Sequence, residues 1–154
     1  MRRLDEYHTP SLFSLFINHF PFSTQKIPFL NTLKVKTPSI TAEKMNALII
    51  DAIQDIKGID IVSIDLRRVD EAPADFFIIC HGSSTTQVGA IAGNIAKKVW
   101  EKLGQEPQHV EGMRNARWVL VDYFTVVVHV FYKELREFYH LEELWGDGLV
   151  KKYE

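Results

Sequence analysis

The chain has a single cysteine, Cys80, among 154 residues. No intramolecular disulfide can form, which suits a reducing compartment and excludes a disulfide-stapled fold. No apolar run approaches the ~20 residues of a membrane-spanning helix; Ser11-Leu-Phe-Ser-Leu-Phe-Ile17 falls well short. Acid is missing altogether between Glu6 and Glu43. Catalytic signatures are also missing. There is no Gly-x-Ser-x-Gly elbow to expose a serine nucleophile. Nor does an Asp-x-Asp pair follow on a strand to clamp a metal for phosphoryl chemistry. His81, His109, His129 and His140 fall in separate elements, whereas zinc needs three or four converging ligands. No internal repeat is visible.

What remains is the composition of an ordinary globular domain, 46% hydrophobic and 25% charged, long enough to bury a sizeable core. Charge is split along the chain. Residues 1–44 hold six Lys/Arg against three Asp/Glu, a net of +3, and residues 45–154 hold twelve against seventeen, a net of −5. An acidic domain lacks the clustered Lys and Arg that grip a nucleic-acid backbone. Its charge points to a protein partner, with no membrane involved. Residues 1–40 are rich in Ser, Thr, Phe and Pro and are expected to carry little fixed structure. Three readings stand for them: a disordered tail or an upstream start, a lineage-specific extension, and an organelle-targeting segment.

The most patterned stretch is Trp118-Val-Leu-Val-Asp-Tyr123 followed by Val126-Val-Val-His-Val-Phe131. Two β-branched, aromatic-rich runs separated by Phe124-Thr125 predict adjacent antiparallel strands. With those two residues as the loop, Leu120 faces His129 and Trp118 faces Phe131. Alternation then places Val119, Val121, Tyr123, Val126, Val128 and Val130 on one face. Trp118, Leu120, Asp122, Val127, His129 and Phe131 share the other. The first face is a plain core surface. The second mixes aromatics with an acid and an imidazole. It reads either as an exposed protein-binding face, with Arg136 and Tyr139 at its rim, or as a second buried layer whose polar groups are paired.

Thr41-Ala-Glu-Lys44 predicts a helix entrance, with Leu48, Ile49, Ala52, Ile53 and Ile56 at helical spacing and Gly58 as the stop. This helix reads as a cover for the sheet. Ile61 to Leu66 alternates as a strand, and Phe76-Phe-Ile-Ile-Cys80 suits a central one. Ser84 with Gln87 forms a capping box for a helix buried through Val88, Ile91, Ala92, Ile95 and Val99 and ended by Gly104. A strand followed by Gly82-Ser83-Ser84 at a helix start can also cradle phosphate. It resembles the opening of the nucleotidyltransferase fold, without that fold's catalytic acids. Pro107 to Gly112 reads as a strand into a turn. Tyr132 to Tyr139 looks helical, with Leu135, Phe138 and Tyr139 as its apolar stripe. Arg136 with Glu142 and Glu137 with Lys133 read as surface ion pairs worth little. Leu149 to Glu154 reads as a polar tail.

Glu111-Gly112, Trp118 to Tyr123, Val127 to Phe131, Arg136-Glu-Phe-Tyr139 and Leu141-Glu-Glu-Leu-Trp145 resemble the ribosomal silencing factor (Iojap-like) family. So does Asp75-Phe-Phe-Ile-Ile-Cys-His-Gly-Ser-Ser84. The resemblance covers residues 45–148. It departs at Phe124-Thr125, where many family members carry Gly-Asp.

The combined expectation is a single α/β domain, a mixed and roughly five-stranded sheet with helices on one face and at the end. The resemblance implies a repressor of translation under nutrient limitation. It would bind the large ribosomal subunit at its joining face, through the ribosomal protein numbered fourteen, and block the small subunit sterically; organelle relatives act in large-subunit assembly. It implies no catalysis and no cofactor, and it puts Trp118, Leu120, Asp122, His129, Phe131, Arg136 and Tyr139 at the partner. A homodimer of the free protein and a nucleotide-handling enzyme using Gly82 to Ser84 are the rival readings. The expected location is cytoplasmic, with an organelle open because of the extension.

Overall fold

The structure, a computed structural model, describes residues 40–154. The readings of residues 1–39 lie outside the described residues. Helix α1 (Ala42–Asp55) starts where the sequence places it, with Thr41 Oγ1 accepting from the Lys44 amide at 3.2 Å. Its end differs in one detail. Lys57, not Gly58, takes the left-handed conformation (φ 55°). The amides of Lys57 and Gly58 bond back to the Gln54 and Ile53 carbonyls, which closes the helix as a Schellman motif.

Strands β1 (Ile59–Asp65), β2 (Phe76–Gly82), β3 (His109–Glu111), β4 (Trp118–Asp122), β5 (Val126–Tyr132) and β6 (Leu149–Tyr153) form one sheet in the order β3-β4-β5-β2-β1-β6. Only the central β2–β5 pair is parallel. Every residue of β2 is buried, as a strand covered on both faces requires. Helix α2 (Thr85–Leu103) ends on Gly104 in the left-handed conformation. Helices α3 (Lys133–Tyr139) and α4 (Leu141–Leu144) are short.

The first core layer lies between the sheet and helices α1 and α2. Met45, Ile49, Ile53, Val88, Ile91 and Ile95 meet Ile78, Cys80 and the valine face of β4 and β5 there. Burial pushes the Cys80 thiol up to about 12, so it stays protonated and packs as a small apolar group. Polar bonds fix how the helices sit. Ser63 Oγ donates to Asn46 Oδ1 at 2.9 Å inside the layer, and Asn94 Nδ2 donates to the Ala52 carbonyl at 2.8 Å. Lys98 Nζ lies 2.5 Å from Asp51 and 2.6 Å from Asp55.

Two expectations are corrected. The sheet has six strands because Leu149–Tyr153, read as a polar tail, pairs antiparallel with β1. The helices also do not keep to one face and the end. Aromatics from α3 and from the residue after α4 close the opposite face, with Tyr139 against Trp118 and Trp145 against Phe77.

Candidate functional site: the aromatic face of the hairpin

The hairpin register is the one the two-residue loop predicts, with Trp118 opposite Phe131 and Leu120 opposite His129. The unequal chemistry of its two faces is therefore real. The polar and aromatic face, however, is a second buried layer rather than an open surface. Trp118 is 4% exposed, and His129 and Phe131 are fully buried. This corrects the exposed-face reading for those three residues. The covering groups come from short helices whose own periodicity is too brief to announce what they bury.

Inside the layer the rings pack by geometry. Trp118 and Phe131 stack with centroids 4.8 Å apart, and Tyr139 sits 4.9 Å from Trp118 on the outer side. Phe77 meets His129 edge-on at 5.3 Å and Trp145 edge-on at 5.2 Å. Such pairs add specific attraction to the burial of their area. Trp118 Nε1 donates to His129 Nδ1 at 3.3 Å, a long but buried bond that sets the imidazole as acceptor there. Burial pushes the imidazole down to about 3, so His129 is neutral and apolar in character at neutral pH.

Leu120 and Asp122 remain half-exposed at the β3 side, opposite Glu111 and His109. Asp122 Oδ1 accepts from the Phe124 amide at 2.7 Å, a local turn bond. Tyr139 is half-exposed, and its neighbour Phe138, expected in the buried stripe of α3, is 74% exposed. Phe138 carries the side-chain chemistry of a binding anchor, but its position in a helical stripe gives no sign of its exposure.

Arg136 is not an ordinary surface residue. Its side chain is 11% exposed, and Nε and Nη2 reach Glu142 Oε1 at 2.7 and 2.6 Å. Nη1 donates to the Asp60 carbonyl at 2.7 Å and faces His81 Nδ1 at 3.0 Å. Burial first, and Arg136 second, lower the His81 pKa, so its Nδ1 accepts rather than repels. The Arg136–Glu142 pair is present as expected, but it forms part of a clamp. The Lys133–Glu137 pair is the loose surface contact of the two, at 3.9 Å.

The Gly82–Ser84 junction has its polar groups committed. Ser84 Oγ accepts from the Gln87 amide at 3.1 Å, and Gln87 Oε1 accepts from the Ser83 amide and hydroxyl at 2.8 and 2.9 Å. The reciprocal bond of the capping box thus lands one residue earlier than in its usual form. Gln87 Nε2 donates to the Ile56 and Lys57 carbonyls at the end of α1. A Cβ on Gly82 would lie 3.1 Å from Val88, so this glycine allows the helix to pack closely. His129 and Asp122 bond to Trp118 and Phe124 respectively, and the structure does not assemble them with Ser84 as a triad. Among the described residues no three of His, Cys, Asp and Glu gather as metal ligands. No helix among them is long and apolar enough to cross a membrane.

Comparison with known proteins adds the family. Residues 39–154 match the sequence model described as "Ribosomal silencing factor during starvation". The chain is 45% identical over 106 residues to the ribosomal silencing factor of Halalkalibacterium halodurans, covering 69% of this chain and 89% of that relative. It is 47% identical over 97 residues to the one from Bacillus subtilis, covering 63% and 80%. A crystal structure of a Chromobacterium violaceum protein superposes with a TM-score of 0.65 at 35% identity, covering 69% of this chain and 87% of that one. More distant organelle relatives are the chloroplastic protein Iojap of Zea mays and a mouse protein named for mitochondrial assembly of the ribosomal large subunit. Each is 34% identical, over 41% and 32% of its own length respectively.

Proposed function

The chain belongs to the ribosomal silencing factor family, and from that premise we propose that it binds the large ribosomal subunit and sterically hinders joining of the small one. The carrying observation is the family match over residues 39–154, the whole of the described fold. The acidic balance of residues 45–154 supports a basic protein as the direct partner, and the ribosomal protein numbered fourteen is the proposed one. The action is obstruction rather than chemistry. Ser83, Ser84 and Gln87, which an enzyme would need free, bond to one another and to the end of α1.

The buried layer divides the labour among the site residues. Trp118, His129, Phe131 and Arg136 hold the face rigid from beneath. Leu120, Asp122 and Tyr139 present its accessible edge, joined by exposed Phe138. Rigid aromatic and apolar groups of this kind are the usual anchors of protein interfaces. The stronger identity to bacterial relatives than to organelle ones supports a bacterial cytoplasm as the location.

Interferometry on immobilised large subunits tests the surface. Leu120→Lys and Phe138→Asp should each weaken binding at least tenfold with unchanged circular dichroism. Unaltered affinity in both would contradict the assignment. Light scattering of the free protein separates this from a homodimer that uses the same surface.

A further inference from the structure

The hairpin tip carries a feature that the fold itself does not need. Phe124 sits between β4 and β5 with φ 71°. The Thr125 amide bonds to the Tyr123 carbonyl two residues back, at 2.9 Å. Positive φ with such a bond is the signature of the rarer, strained γ-turn, and a bulky side chain in this region is an outlier. Glycine would adopt it freely, and asparagine tolerates it. The other described non-glycine residues at positive φ are Lys57, Asp60, Glu71, Ala116 and His140, none of them an apolar ring.

Burial of the ring does not offset this strain, because Phe124 is 64% exposed. The turn is nevertheless held from three sides. Asp122 Oδ1 takes the Phe124 amide, the Tyr123 amide bonds to the Val126 carbonyl at 2.9 Å, and the Thr125 carbonyl accepts from the amides of Asp75 and Phe76 at 2.9 and 3.0 Å. A strained residue that its surroundings over-determine, with its apolar side chain turned to solvent, marks a functional position. Single exposed apolar residues such as Trp100 or Leu149 need no such explanation. Strain distinguishes Phe124 from them.

We propose that Phe124 is a preformed docking anchor that inserts its ring into an apolar socket on a basic protein surface of the large-subunit partner. This deepens the ribosome-binding reading and rests on it. The partner's chemistry follows from what frames the ring. The Asp122 carboxylate accepts from the Phe124 amide beside the ring, and residues 45–154 carry a net charge of −5. An apolar ring beside a carboxylate, on an acidic domain, fits a socket rimmed by Lys or Arg. Holding the ring in one backbone geometry before binding reduces the ordering cost of association.

The test sets stability against affinity. Phe124→Gly and Phe124→Asn both relieve the turn and remove the ring, while Phe124→Tyr keeps the ring and the strain. With the full chain, the first two should melt at least about 3 °C higher yet bind purified large subunits at least tenfold more weakly. Phe124→Tyr should match the wild type in both. Unchanged affinity in either ring-free variant overturns the anchor, as does a lower melting point in both. Failure of the wild-type protein itself to bind large subunits would instead remove the reading on which the anchor depends.

Discussion

His129 is a base enclosed by aromatic rings, and that enclosure has a measurable consequence. Its folded pKa is pushed down to about 3 by burial, against an ordinary value near 6.5. Below about pH 6.5 the unfolded chain takes a proton that the folded imidazole refuses. The unfolded state therefore binds more protons between about 6.5 and 3, and stability falls as pH drops through that window. At pH 5 the loss from this group is about 2 kcal/mol. His81, also lowered by burial, contributes with the same sign. In denaturant unfolding at pH 7.5 and 5, His129→Gln should lose about 2 kcal/mol less than the wild type between the two values. Equal losses would contradict the buried, neutral imidazole. The sequence displays the residue but not its state. Alternation along β5 places His129 beside Phe131 and Trp118, yet whether that face meets water depends on residues 139 and 145, ring partners that no local period ties to it.

Helix α3 is seven residues long, too short to persist on propensity alone. What anchors it is Arg136, which joins α3 to the start of β1, to His81 in β2 and to Glu142 in α4. Arg136→Ala should lower stability by about 2 kcal/mol, the scale of lost charge-assisted hydrogen bonds. Arg136→Lys should recover little of it, because a single ammonium cannot replace a planar fork that reaches three partners. Full recovery by lysine would reduce the clamp to a simple charge effect. The Arg136–Glu142 pair was legible from the sequence, whereas the carbonyl of Asp60, 76 residues away, was not. Strand β6 escaped for a related reason. Leu149-Val-Lys-Lys-Tyr153 has the polar, lysine-bearing look of a sheet edge, and only its pairing with β1 separates an edge strand from a tail.

At the scale of the molecule, local order was readable and assembly was not. The β4–β5 register followed from a two-residue loop and alternating side chains. The parallel pairing of β2 with β5 joins segments about fifty residues apart, and no local pattern specifies it. The assembled domain has an acidic balance, an aromatic layer buried beneath one face and a strained hairpin tip, features suited to seating on another protein. The proposed action is to seat on the large ribosomal subunit and keep the small subunit away. Gradient sedimentation of purified subunits, with and without the protein, addresses it most directly. Co-migration with the large subunit and a smaller joined-ribosome peak are the predicted result. A protein that stays at the top of the gradient while joining proceeds unchanged would contradict that action.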